Sequence, residues 1–394
     1  MKNLSYESGK DSLILKLSGH IDSSNAPAIG EEIGKIREKC TAKEIQIDCE
    51  KLEYISSAGL RLILRIKKEV PDTKIINVSP DVYEVFSMTG FTEMMEISKA
   101  FRVLSVDKCE VIGQGANGRV YRIDQDTIVK EYFNADALPE INRERELART
   151  AFVLGIPTAI PYDVVRLQNG GYGSVFELLN AKSFAKLLIS HEKTVDELAE
   201  MSIELLKQIH STKVKPDSMP DMKKTALDWA DFLKDYLESD QYKKLHELIK
   251  AVPEDDHMLH GDYHLKNIMY QNGEILLIDM DTLAHGHPIF ELAGMYNAYK
   301  GFSDVNHDNV KSFLGIPYDT AVEFWNKSLR LYLKGKSEKT IQETEEKAML
   351  IGHARIMRRC IRRKGLDTPE GRAVIENSRK HLEELLPKID TLVF

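Results

Sequence analysis

Two short polar segments of this chain have to meet in space, and that requirement narrows the fold more than anything else in the sequence. One is His260-Gly261-Asp262-Tyr263-His264-Leu265-Lys266-Asn267. The other is Asp279, which closes the apolar run Glu274-Ile275-Leu276-Leu277-Ile278. A run of that kind reads as a buried strand, so Asp279 stands at a strand end. Phosphoryl transfer from a nucleotide asks for few side chains. An Asp must orient and deprotonate the acceptor hydroxyl, and an Asn and a second Asp must hold Mg²⁺ against the phosphates. Asp262, Asn267 and Asp279 fit those needs with one loop and one strand end. A lone Asp-x-x-x-x-Asn is an ordinary loop capped by its own side chains; the elements upstream make this set specific.

The first of these is Gly113-Gln114-Gly115-Ala116-Asn117-Gly118. A dinucleotide fingerprint of the same spelling opens a helix. Here Gly118 leads into Arg119-Val120-Tyr121-Arg122-Ile123, a β-branched and aromatic run that reads as a strand. Strand, glycine turn, strand makes a flap whose backbone N–H groups (at Gly113, Gly115 and Gly118) lie over phosphates. The second is Lys130 in Thr127-Ile128-Val129-Lys130-Glu131-Tyr132, a strand lysine placed to hold phosphates if a helix carboxylate fixes it. Glu144 and Glu146 on the following helical stretch are the candidates, with Glu144 preferred. The third is Ser174-Val175-Phe176-Glu177-Leu178-Leu179, a strand running into a helix after Ser183; its backbone around Glu177 and Leu179 is the candidate adenine contact.

On these residues the chain from about 106 to 394 resembles the aminoglycoside phosphotransferase and choline kinase-like group of the kinase superfamily. Leu205-Leu206-Lys207-Gln208-Ile209-His210 also looks like the helix preceding that group's catalytic loop. The resemblance implies a two-lobed α/β fold, ATP with Mg²⁺, and transfer to an alcohol. It implies Asp262 as the catalytic residue, Asn267 and Asp279 as metal ligands, and Lys130 as the phosphate-binding lysine. The chain departs from the group at His287 and Glu291, where Asp is frequent. Asp279 is followed within a few residues by Gly286-His287-Pro288 and the helical Phe290-Glu291-Leu292-Ala293, which leaves no room for a long activation segment and favours a small-molecule acceptor.

The first 100 residues alternate short strands (13–17, 44–48, 74–78) with helical stretches (27–40, 59–68, 82–89), the pattern of a small α/β unit with helices packed on a sheet. Leu17-Ser18-Gly19-His20-Ile21-Asp22 and the stretch from Asp48 through Ser56-Ser57-Ala58-Gly59-Leu60 resemble the STAS domain of anti-sigma factor antagonists. In that family a Ser before a helix is phosphorylated, which switches binding to an anti-sigma partner. Ser57 matches that position, with Ser56 where Asp is usual. A phosphate there would sit at a helix N-terminus, which favours anions. A plain N-cap at Ser56 or Ser57 is the simpler role.

The expected organisation is therefore a STAS-like α/β sandwich over 1–100, a linker at 101–107 and a two-lobed kinase-like phosphotransferase over 108–394, with lobes at 108–179 and 180–394. A formal net charge of −8 argues against nucleic-acid or anionic-membrane binding. Four scattered cysteines, no apolar run of membrane length and no leader pattern lead to the expectation of a cytoplasmic protein with reduced thiols. His285 and His287 read as structural. Arg355, Arg358, Arg359, Arg362 and Arg363 share one helical face. Such a face suits an anionic substrate or an acidic domain surface, although pairing with local Glu in solvent is commoner. Three functions stay open: a small-molecule kinase with a STAS-like docking or regulatory module, a switch that phosphorylates Ser57, and a nucleotide-sensing binding module. No motif names the acceptor.

Overall fold

The structure is a computed structural model of the chain and describes residues 3–9, 11–40, 42–115, 118–134 and 136–394. Ala116 and Asn117 of the glycine turn lie outside the described residues. The chain divides into two compact units, Met1–Ser105 with Val164–Gly170, and Val106–Asp163 with Gly171–Phe394.

The first unit is built on a five-stranded sheet in the order β1-β2-β3-β4-β5: β1 (Leu4–Ser8), β2 (Ser12–Ile21), β3 (Glu44–Ile55), β4 (Asp72–Val78) and β5 (Ile97–Lys99). β1 runs antiparallel to β2 and the rest are parallel. Parallel neighbours need crossovers, which α1 (Ala26–Lys39), α2 (Ser57–Glu69) and α3 (Pro80–Met88) with the short α4 (Phe91–Met94) supply. Leu13, Leu15 and Leu17 alternate with more exposed neighbours on β2, as do Ile45, Ile47 and Cys49 on β3. That period of two buries one face against Ile29, Ile33 and Ile36 of α1, Ile63 and Ile66 of α2, and Phe86 of α3. Strands and helices lie where the residue pattern puts them. The short edge strands β1 and β5 are additions, and β3 runs on to Ile55 instead of ending at Asp48. β6 (Arg102–Leu104) follows.

The second unit opens with an antiparallel sheet of β7 (Glu110–Gln114), β8 (Gly118–Arg122), β9 (Thr127–Tyr132) and, after α5 (Leu138–Val153), β11 (Tyr172–Glu177), in the order β11-β9-β8-β7. β10 (Asp163–Leu167) lies between α5 and β11 in sequence, and its Val165–Leu167 pairs in parallel with β6. The remainder is mostly helical: β12 (Lys182–Ser183), α6 (Phe184–Ile189), α7 (Val195–Ser211), α8 (Met222–Leu233), α9 (Ser239–Lys250), β13 (Met258–Leu259), β14 (Ile268–Gln271), β15 (Glu274–Leu277), β16 (Ala284–His285), α10 (Ile289–Tyr299), α11 (Asp308–Leu314), α12 (Tyr318–Tyr332), α13 (Glu338–Arg362) and α14 (Pro369–Leu385). α7 starts on a capping box between Thr194 and Glu197. α10 is buried almost all round and forms the centre of a core with Trp325, Phe324, Tyr263 and Tyr299. Among the described residues no helix is long and apolar enough to cross a membrane.

Two glycines in the first unit predict opposite effects. A Cβ on Gly59 would meet Ile55 Cγ1 at 2.6 Å and Ile21 Cγ2 at 2.9 Å, because α2 presses on the sheet there; nothing lies within 4 Å of one on Gly34. Gly59→Ala is expected to destabilise the unit by about 1–3 kcal/mol through overpacking. Gly34→Ala, in the exposed face of α1, is expected to stabilise it by about 0.5–1 kcal/mol. Chemical denaturation of the two variants beside the parent checks both signs.

Candidate active site

Lys130 on β9 is the hub of the site. Its Nζ lies 3.0 Å from Glu144 Oε1, on α5, and 3.1 Å from Asp279 Oδ1, 149 residues further along the chain. Glu146 instead faces solvent beside Arg149. Glu144 is buried and also accepts a hydrogen bond from Tyr132 Oη, which sits 3.3 Å from Ser174 Oγ. Burial works against the lysine's charge, but the carboxylates of Glu144 and Asp279 outweigh it and raise its pKa, so Lys130 stays an ammonium fixed from two sides. The glycine hairpin lies on the same sheet. Gly115 N donates to Gly118 O at 3.0 Å, and Gly118 is pressed so closely on the Glu131 carbonyl that a Cβ would overlap it.

The loop from His260 to Asn267 is held from beneath by a carboxylate. Glu291 on α10 is buried and accepts the backbone N–H groups of both His260 and Gly261, the latter at 3.0 Å. His210 at the end of α7 sits 3.8 Å away. Burial penalises the Glu291 charge, yet His210, His260 and the Gly261 N–H keep its pKa below the usual value. The departure from Asp at this position therefore keeps the brace, with one more methylene of reach. Gly261 has φ +83° and its Cα faces the Thr282 carbonyl so closely that no side chain fits. This sharp turn presents Asp262, whose carboxylate lies 3.4 Å from His264 Nε2. Burial alone would raise the Asp262 pKa; His264, His260 and Arg355 reverse that and hold it at about 2.

Asn267 and Asp279 are brought together by the β14–β15 hairpin, where Ile278 N donates to Asn267 O at 3.0 Å. The Asn267 amide nitrogen donates to Asp262 O at 3.0 Å, which leaves the amide oxygen as its donor atom for a ligand. β15 is itself tied to the segment after α5 by Leu277 N to Pro157 O at 2.8 Å and Ala159 N to Leu277 O at 3.2 Å. Asp279 adopts φ 65°, a left-handed conformation that Asp tolerates better than most residues. The sequence reading missed Asp281. Burial first, and then the neighbouring Asp279 charge, push its carboxyl up to about 7. Asp281 feels the charges of Asp279, Glu144 and Asp262 as well as that of Lys130, and this gathering of hard oxygen donors suits Mg²⁺.

The remaining expected residues have the following surroundings. Glu177 ends β11 opposite Thr127, and Leu178 N donates to Asp126 O at 2.8 Å, so the strand leaves the sheet next to Leu179. In the first unit the α2 cap is Ser56, whose Oγ accepts Ala58 N at 3.2 Å; Ser57 is the exposed first residue of the helix. His285 Nδ1 bonds the Asp255 carbonyl and His287 packs edge-on to Phe394. The arginine face is not paired with local glutamates: among the described residues none of the five forms an ion pair, and Arg355, Arg358 and Arg359 lie over Trp229, Phe232 and Phe302 instead. The loop brace generates a prediction. Glu291→Ala leaves two buried N–H donors without an acceptor and is expected to cost about 2–5 kcal/mol. Thermal denaturation reads the loss.

The family models divide the chain in the same places as the chemistry. The phosphotransferase enzyme family matches residues 108–313, just over half of the chain, and the STAS domain matches residues 4–103. The "Putative anti-sigma factor antagonist BtrV" of Bordetella bronchiseptica is 30% identical over 92 residues, 22% of this chain and 78% of that protein. The anti-sigma-B factor antagonist of Bacillus subtilis is 23% identical over 100 residues, 24% of this chain and 90% of that protein. Among solved structures, the GDP complex of aminoglycoside 2'-phosphotransferase-IIIa is 11% identical, with 78% of this chain and 98% of that chain covered and a TM-score of 0.48. A choline/ethanolamine kinase family protein from Mesorhizobium loti is 15% identical, with 71% and 87% covered and a TM-score of 0.45. The chain belongs to the phosphotransferase enzyme family and carries a STAS domain at its N-terminal end.

Proposed function

We propose that the second unit transfers the γ-phosphoryl group of ATP to the hydroxyl of a small molecule, and that the STAS domain is its docking or regulatory module. The observation that carries this reading is the convergence of Lys130, Glu144, Asp262, Asn267 and Asp279 on one site from β9, α5, the 260–267 loop and the end of β15. Lys130, fixed by Glu144, would take the nucleotide's inner phosphates, with the glycine hairpin as a backbone cover. Asn267 and Asp279 are the residues that would hold Mg²⁺, which supplies charge neutralisation at the phosphates. Asp262 stays ionised and accepts the acceptor's O–H. In the transfer, the acceptor oxygen bonds to the γ-phosphorus, the bond to the β–γ bridging oxygen breaks, and the hydroxyl proton passes to Asp262. Catalysis of this type rests on positioning and electrostatics, which is what the Glu291-braced loop provides.

The acceptor's size is supported by the short path after Asp279. The chain reaches β16 and then α10 at Ile289 without a long segment on which a peptide substrate would lie. The two relatives of the STAS domain are anti-sigma factor antagonists by name, which supports a protein partner of anti-sigma type. The exposed Ser57, relieved of capping by Ser56, supports a second reading in which a phosphate on that serine controls the docking.

Asp262→Asn is expected to lower transfer by about 10³-fold or more while nucleotide affinity stays within a few-fold. Asp279→Asn and removal of Mg²⁺ with a chelator are expected to weaken ATP binding itself. Titration calorimetry with ATP and acceptor-dependent ADP release separate these effects; parent-like turnover in both variants would sink the assignment. Intact-mass spectrometry after incubation with Mg·ATP adds the second reading. A phosphate on Ser57 in the parent and not in Asp262→Asn makes the protein its own substrate, and an unmodified chain leaves the small molecule as the acceptor.

A further inference from the structure

The geometry points to an acceptor that carries a negative charge, a phosphate or carboxylate group, seated against Arg359 and Arg363 in the cavity that the Phe313–His264 ring pair separates from Asp262. This rests on the phosphotransferase reading above and names its substrate class. The cavity holds about 520 Å³ and is walled by the turn after α10, α11, α13 and α14. That is the size of a small-molecule site, commonly about 300–1,000 Å³. Phe313 on its wall stands edge-on to His264, 4.9 Å between ring centres, and His264 contacts the Asp262 carboxylate. One pair of rings therefore separates the cavity from the group that would receive the acceptor's proton, and the Asp262 charge reaches Arg359 on the cavity wall.

Its charge is one-sided. Arg359 and Arg363 line it, and among the described residues no Asp or Glu does. The one acid in the adjoining turn, Asp304, points away to His353 and His381, whose Nε2 atoms both lie 3.3 Å from its Oδ2. Arg359 is braced on the Phe302 ring at 4.8 Å, with no ion pair to spend its charge on. Partial burial, and then repulsion from Arg363 and Arg355, hold the Arg359 pKa below its usual value. Unpaired guanidinium groups that repel one another on a part-apolar wall are relieved by an anion between them, and their planar donor forks match phosphate and carboxylate. A cationic acceptor would meet this wall with the wrong sign.

The test uses the full chain with its nucleotide site saturated by Mg²⁺ and a non-hydrolysable ATP analogue, so that added anions cannot enter there. Inorganic phosphate and succinate are titrated calorimetrically into the parent, into Arg359→Gln/Arg363→Gln and into Arg362→Gln, which lies on the same helix outside the cavity. One or both anions are expected to bind the parent and Arg362→Gln alike, and to bind the double variant about tenfold or more weakly. Phosphate alone, or succinate alone, identifies the anionic group. No anion binding by the parent, as an extended acidic protein surface as the true occupant would give, overturns the proposal; so does binding that survives the double substitution. Failure of the phosphotransferase reading looks different, because the parent would then not bind the Mg-nucleotide in the first step.

Discussion

Lys130 is the residue on which the geometry of the second unit depends. Its ammonium is the meeting point of a strand, a helix and the end of a distant hairpin, through Glu144 and Asp279. A buried ion pair of this kind contributes little to stability by itself, since desolvation offsets the attraction. Removing one partner is another matter. Without Lys130, Glu144 would be a buried carboxylate left with the Tyr132 Oη bond, and Asp279 would stand beside Asp281 without the ammonium between them. The pairing therefore specifies an arrangement more than it stabilises one, and the specified arrangement is the one that phosphoryl transfer needs.

A second carboxylate does comparable work without touching any reactant. Glu291 accepts two consecutive backbone N–H groups at the point where the chain must turn at Gly261. A loop that sharp leaves backbone donors unpaired, and His260 and Glu291 are buried there. The side chain supplies the acceptors, and Asp262 gains a fixed position as a result. His210 sits against the same carboxylate from α7, so the end of one helix, the start of another and the loop between them share a single charge.

The sequence was legible where chemistry is local. Asp262, Asn267 and Asp279 are close in sequence, and the β14–β15 hairpin joins the last two, so their proximity was readable from spacing while their proposed roles drew on the elements upstream. The alternation of Leu13, Leu15 and Leu17, and of Ile45 and Ile47, made the central strands of the first unit plain, whereas β1 and β5 are edge strands too short or too polar to show a period. Long-range partners were less visible. Nothing in Asp279-Met280-Asp281 distinguishes an acid that is buried among other acids from one that is solvated. The arginine face of α13 read as a surface feature, because sequence period gives the face and not what the face meets; Trp229 and Phe232 come from α8, and Phe302 from the turn after α10.

One tether has a mechanical consequence. The backbone bonds from Leu277 to Pro157 and Ala159 fasten the base of α5 to the strand that ends in Asp279. If the sheet of β7, β8, β9 and β11 rocks as nucleotide enters, this joint is the natural pivot. Glu144, Lys130 and Asp279 are joined to one another by their ion pairs, so the charged centre keeps its spacing as the sheet turns. A joint placed there lets a large cosubstrate come and go without dismantling the charged centre each time the unit turns over.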